Sequence, residues 1–211
     1  MSRYESSRFV KDPKTMNREV LKAACDKLGW KYKVEGEDLI VTDAKQQEKV
    51  YGEYILKVSG STVTYNSYYL SNGGQLVAEL QSVFFPLNVE YAKKTVVDAF
   101  KKKGFTFKKL YDFTPTAEEV DRFCMVGYTK LEDEKEKRYE IKFSILHDGT
   151  VVTDSNYLPD DVNEMAHAAM DDLQEAFGNK RIMTKKPEYD IMIARLKEHK
   201  KITDKNSLKI K

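Results

Sequence analysis

Two stretches, Thr62-Val-Thr-Tyr-Asn-Ser-Tyr-Tyr-Leu70 and Thr150-Val-Val-Thr-Asp-Ser-Asn-Tyr-Leu158, decide how this chain is read. They align without a gap, five of nine positions are identical, and Asn66 faces the near-isosteric Asp154. Each leads into a similar helical stretch, ending Leu80-Gln81-Ser-Val-Phe84 in one and Leu173-Gln174-Glu-Ala-Phe177 in the other. Upstream, Gly29-Trp-Lys-Tyr-Lys33 matches Gly104-Phe-Thr-Phe-Lys108, each after a helical pattern, Leu21 to Leu28 and Val96 to Lys103. Three matches in one order imply an internal duplication.

Working outward, the pattern divides the chain into a lead-in or strand at 1–17, repeat 1 at 18–84, a connector at 85–92, repeat 2 at 93–177 and a basic helix and tail at 178–211. Each repeat reads αββββα, an α+β fold with antiparallel sheets forming one pseudo-two-fold unit. In repeat 1, Val20, Leu21, Ala24 and Leu28 form one helical stripe over 18–28, and Gly29 ends it. Strands are expected at about 30–35, 38–43, 52–59 and 62–70. Ser59-Gly60 and His147-Asp148-Gly149 read as equivalent tight turns. Thr116 to Asp121 and Leu131 to Lys137 read as solvated acidic and charged loops, and Asp160 as a helix cap. After Pro187, the spacing of Tyr189, Met192, Ile193 and Leu196 predicts an appended amphipathic helix.

Strand alternation sorts side chains by face. Trp30, Tyr32, Val34, Tyr54, Leu56, Val58, Val63, Tyr65 and Tyr69 are expected under the helices. The opposite face then carries Lys31, Lys33, Ile55, Lys57, Thr62, Thr64, Asn66 and Tyr68. Repeat 2 offers Thr106, Lys108, Lys142, Ser144, Thr150, Val152, Asp154 and Asn156 at the equivalent places. Such a face is either the wet side of an antiparallel sheet or a polyanion groove in which lysines meet phosphates and Tyr68 stacks on a base.

Charge is uneven. Residues 179–211 hold eleven Lys/Arg against four Asp/Glu, a surplus of +7 that leaves −5 for the other 178 residues of a +2 chain. Lys185, Lys186, Arg195, Lys200 and Lys201 in that segment are added to the sheet lysines as candidate nucleic-acid contacts. With 41% hydrophobic and 33% charged residues the composition is that of a folded protein. The start lacks an apolar signal core and no run is long enough for a membrane span. Only Cys25 and Cys124 occur, without CxxC spacing, so a reduced, cytoplasmic protein with inert buried thiols is expected.

A catalytic or metal constellation is not legible. His147 sits in a turn and His199 in the lysine-rich tail; only His167 has acidic neighbours at helical spacing, Glu164 and Asp171. No nucleotide-loop, zinc-protease, hydrolase-elbow or calcium-loop pattern occurs. Asp160-Asp161 and Asp171-Asp172 are adjacent pairs that diverge. Ser71-Asn-Gly-Gly74, ahead of a helix, is a turn that could also offer backbone N–H groups to an anion. No catalytic residues, metal ligands or cofactor are therefore assigned.

The start Met1-Ser-Arg-Tyr, the helix exit Leu21-Lys-Ala-Ala to Leu28-Gly-Trp30, the strand Gly52-Glu-Tyr-Ile-Leu-Lys-Val58, and the run from Leu80-Gln81 through Tyr91-Ala92 to Lys103-Gly104-Phe105 resemble an uncharacterised cyanobacterial and chloroplast-encoded reading-frame family. The resemblance covers residues 1 to about 110. Where that family has Asp-Trp-Trp, this chain has Asn66-Ser-Tyr-Tyr69. It implies a fold and no activity. The duplicated sheet-and-helix units are also similar in architecture to Whirly- and PUR-type single-strand binders and, with a strand at Ser2 to Val10, to TATA-binding proteins. The leading expectation is a non-enzymatic nucleic-acid-binding protein that prefers RNA or single strands. The rival is a protein-binding adaptor or inhibitor, including one of viral or phage origin; an enzyme ranks third. The oligomeric state is left open.

Overall fold

The computed structural model describes residues 3–52, 54–111, 114, 116–130, 136–155, 158–177 and 183–185. They form an α+β fold with three α-helices and two five-stranded sheets. Two compact units result, residues 1–94 with 145–150 and residues 95–144 with 151–211.

In unit 1, β1 (Tyr4–Arg8) is followed by a short 3-10 turn (Pro13–Thr15) and α1 (Arg18–Leu28), then β2 (Lys31–Glu35), β3 (Asp38–Asp43), β4 (Leu56–Ser59) and β5 (Thr62–Asn66). The sheet order is β1-β5-β4-β3-β2, a four-strand meander with β1 added antiparallel to β5. α2 (Gly73–Lys102) follows and continues into unit 2. There, β6 (Thr106–Lys109), β7 (Glu119–Lys130), β8 (Glu136–Leu146) and β9 (Val151–Ser155) form a second meander, ordered β10-β9-β8-β7-β6, and α3 (Asp160–Ala176) follows β9. Its fifth strand, β10 (Met183–Lys185), joins β9 in parallel.

The matched sequence motifs have matched local structure. Asn17 caps α1 by accepting from the N–H groups of Glu19 and Val20. At its other end Gly29 takes a left-handed conformation with φ 68°. The Trp30 N–H then reaches back to Cys25 O at 2.9 Å. Gly104, φ 89°, and the Phe105 N–H on Phe100 O at 3.1 Å repeat this at the end of α2. Both are helix stops in which only glycine turns without strain and the next, buried aromatic closes the chain.

Leu39, Val41, Leu56, Val58 and Val63 share one core with Val20, Leu21, Ala24 and Cys25 of α1 and Leu76, Val77, Leu80 and Phe84 of α2. Phe9 meets Phe84 edge-on at 5.2 Å, and Gln81 donates to Phe9 O. In unit 2 an aromatic chain does the same work: Phe100 against Phe105 and Phe143, and Phe143 stacked on Phe123 at 5.4 Å.

Several expectations are corrected. The connector at 85–92 is helical, because no glycine interrupts it; Pro86 removes one N–H but leaves the helix continuous. The strands expected at 52–59 and 62–70 are shorter, and residues 67–69 turn. Alternation fails at the strand ends: Ile55, just before β4, lies in the core, and Asn66, the last residue of β5, is buried, accepting from the Tyr68 N–H. Val34, expected inside, is exposed near the end of β2. Glu119 to Asp121 belong to β7 rather than a loop, which puts Cys124 in mid-strand. Pro159, not Asp160, holds the α3 cap position, without a side-chain bond. Asn156, residues 131–135, the appended helix and His199 lie outside the described residues.

Candidate functional site

The face of sheet 1 turned from the helices can be read strand by strand. Register aligns Lys33, Ile40, Lys57, Thr64 and Ser6 in one row across all five strands. Ile40 is buried although it is outside the main core. Its register partners are the two lysines, whose apolar stems suit such cover.

The expected lysines are on this face, and each has a carboxylate. Lys33 Nζ lies 2.6 Å from Glu35, Lys57 Nζ 2.7 Å from Asp38 and Lys31 Nζ 3.5 Å from Asp43. The hydrogen bond from Lys57 holds Asp38 below the ordinary carboxylate range and raises Lys57 in return. Three cations and three anions cancel. Lys31 and Lys33 also sit on β2, an edge strand, where lysines discourage strands of other molecules from pairing. A register irregularity between Lys31 and Tyr32 adds to that protection.

Sheet 2 also pairs its cations with carboxylates, three cations on two anions. Lys108 Nζ is 2.9 Å from Glu140, which Arg138 also contacts, and the Lys108 bond leads in holding Glu140 below its usual range. Arg122 grips both oxygens of Glu119 at 2.8 Å and reaches Ser144. Beneath this network lies Cys124, buried, with its Sγ 3.8 Å from Glu140. Burial, then the Glu140 charge, pushes its thiol up. Lys142 is exposed on β8. Lys185 lies in β10, its side chain undescribed; Lys186, Arg195, Lys200 and Lys201 are outside the described residues.

Tyr68 is 65% exposed, and it has company that alternation does not predict. Tyr69 takes Tyr68 edge-on at 4.9 Å and Tyr51 at 6.1 Å, and Tyr51 is 74% exposed. The cluster arises because the chain turns at 67–69, directly after β5, instead of continuing as strand. The Asn66 side chain, accepting from the Tyr68 N–H, fixes that turn. Tyr51, 17 positions earlier, could not be associated with it from spacing alone.

The other sequence candidates have structural explanations. At Ser71-Asn-Gly-Gly74, Glu48 accepts from the Ser71 N–H and hydroxyl at 2.7 and 2.5 Å, so an internal carboxylate already occupies the place of an anion. A Cβ on Gly73 would stand 2.2 Å from the Tyr65 ring, so this glycine is required for packing. Cys25 is buried in the core, and burial pushes its thiol up to about 12. His147 is exposed in its turn, and His167, Glu164 and Asp171 are exposed on α3. No cluster of three or more metal-ligating side chains occurs among the described residues. No described helix is long and apolar enough to cross a membrane.

Comparison with family models, curated proteins and solved structures returns no match.

Proposed function

We propose that this chain is a non-catalytic protein-binding module whose contact point is the tyrosine corner of unit 1. The observation that carries this reading is the exposed Tyr51–Tyr69–Tyr68 cluster. Tyrosine is among the residues that dominate binding energy at protein interfaces, because it brings a large rigid contact area at little entropic cost. The two outer rings are held by a third, so the patch is partly ordered before a partner arrives.

Single-stranded nucleic acid could use the same rings, and Tyr68 has the exposure that stacking needs. Electrostatics disfavours it. Affinity for a polyanion comes from replacing condensed counterions with protein cations. Lys31, Lys33, Lys57 and Lys108 each have a carboxylate partner within 3.5 Å, and a phosphate would have to displace it. The cationic surplus lies in residues 179–211 instead.

A photo-crosslinking residue at position 68 of the full-length chain, irradiated in cells, tests the reading. A protein adduct of one defined mass, lost in a Tyr51→Ala background, is expected. An adduct to RNA, or protein adducts indifferent to Tyr51→Ala, would overturn it.

A further inference from the structure

We propose that the open edge of β1 pairs antiparallel with the same edge of a second copy of this chain, centred on Ser6. The proposal is independent of the tyrosine corner.

Among the described residues, β1 is the outermost strand of its sheet. The Phe9 N–H donates to Ser61 O at 2.7 Å and the Ser67 N–H to Arg3 O at 2.9 Å. These bonds flank the register Tyr4↔Asn66 to Arg8↔Thr62. In an antiparallel ladder, hydrogen-bonded and non-bonded pairs alternate. The odd-numbered residues of β1 therefore bond to β5, and Tyr4, Ser6 and Arg8 turn their N–H and C=O groups to the open edge. Tyr4, Ser6, Ser7 and Arg8 are all exposed.

This edge differs from the other edge of the same sheet. β2 carries Lys31, Lys33 and Glu35 and a register irregularity, the devices that keep edges apart. β1 has a small neutral Ser6 at its centre and no irregularity in its register.

The strand is also self-complementary. An antiparallel two-fold about Ser6 sets Ser6 against Ser6, and Tyr4 of each copy against Arg8 of the other. All three belong to the set that points its backbone outward, so each such N–H finds a carbonyl. Their side chains share one face, and an arginine over a tyrosine ring is an attractive pair. A two-fold axis makes that contact twice. An unrelated extended peptide would gain the backbone bonds without that paired match.

Sedimentation velocity of the full-length chain, from about 1 µM to 1 mM where small interfaces dissociate, should show reversible growth to twice the chain mass. Ser6→Pro deletes an N–H that faces the open edge and none that bonds β5. It should leave the circular-dichroism spectrum unchanged and weaken the dimer at least about tenfold. Should Ser6→Pro misfold, Ser6→Lys serves, placing two ammonium groups opposite each other. Tyr4→Lys should weaken the dimer by setting an ammonium group against the Arg8 guanidinium of the other copy, and adding Arg8→Glu should restore it. A chain that stays monomeric at about 1 mM overturns the proposal. So does a dimer unmoved by a folded Ser6 variant, or a Tyr4→Lys defect that Arg8→Glu leaves uncorrected. Tyr51→Ala and Tyr68→Ala should leave the dimer intact, so failure here is separable from failure of the tyrosine reading.

Discussion

The two sheets have one meander order and treat their strands differently. Sheet 1 takes its fifth strand from the N-terminal segment, antiparallel, and sheet 2 takes its fifth from after α3, parallel. On the face away from the main core, sheet 1 buries an isoleucine in a row with two lysines, whereas sheet 2 buries Cys124 beside a carboxylate network. Lys57 on Asp38 and Lys108 on Glu140 are paired alike, but sheet 2 adds an exposed Lys142. Apolar pattern and helix stops recur between the sheets, but the surface chemistry does not, so a function read from one face need not hold for the other.

The largest effects should come from the glycines against which aromatic rings pack. Gly73→Ala would place a methyl 2.2 Å from Tyr65, whose hydroxyl is anchored on Glu5 at 2.8 Å and cannot easily withdraw. Overpacking of this kind costs about 1–3 kcal/mol, and the anchored ring places this case near the upper end. Gly127→Ala would meet Phe105 at 2.7 Å and Val162 at 3.0 Å, with no hydroxyl holding the ring, and should cost about 1 kcal/mol less. Urea midpoints of the two variants check the order; a reversed order would mean that Tyr65 is the more yielding ring.

How far the sequence can be read follows from which interactions are local. α1 is readable to its ends because Asn17, the apolar stripe and Gly29 each act within one or two turns. The paired tight turns and buried cysteines are likewise within reach. The continuity of α2 is not, since the helical patterns on either side of 85–92 are separately plausible. Lysine pairing is hidden for a different reason. Lys57 and Asp38, or Lys108 and Glu140, are 19 and 32 positions apart and meet only once strand register is known. Lys33 and Glu35 are close in sequence, but alternation alone shows only that they share a face. The tyrosine corner depends on where β5 ends, and strand ends are poorly specified by alternation.

The cysteines should separate the two regions next. Cys25→Ser puts a hydroxyl among Val20, Leu21 and Ala24 in the core, at about 1–3 kcal/mol if it finds no partner. Cys124→Ser places the hydroxyl beside Glu140, which can accept from it, so a loss below about 1 kcal/mol is expected. Thermal melts of both variants measure the difference, and equal losses would show that Glu140 does not rescue the second site.

Acid should act on both sheets in the same direction. Glu119 and Glu140 are held below their ordinary values, chiefly by hydrogen bonds from Arg122 and Lys108, and Asp38 by that from Lys57. A carboxylate depressed by folding adds stability above its unfolded value, about 4, and loses it as pH falls through the lower folded value. Stability should therefore hold from neutrality to about pH 5 and decline below about pH 4. Lys108→Gln should flatten that decline, with Arg138 retaining part of the depression at Glu140. Denaturant midpoints between about pH 7 and pH 3 read this out, and an unaltered acid limb in Lys108→Gln would remove Lys108 from the account.

The smallest stability effects belong to the lysines, and they decide most about function. Exposed pairs such as Lys33–Glu35 contribute about 0–1 kcal/mol, so replacing Lys31, Lys33 and Lys57 together by Gln should hardly move the melting temperature. If those cations are neutralised by Glu35, Asp38 and Asp43, the same replacement should leave binding of random-sequence RNA almost unchanged. The converse variant, Glu35→Gln with Asp38→Asn and Asp43→Asn, releases three positive charges on one sheet face. Its RNA affinity should rise and should fall steeply with salt, by about 0.7 in the log–log slope for each phosphate newly engaged. Fluorescence anisotropy at low and moderate salt distinguishes the two. A large loss in the lysine variant would mean that phosphate displaces the carboxylates readily. Sheet 1 would then be a nucleic-acid face, and the tyrosine corner its stacking platform.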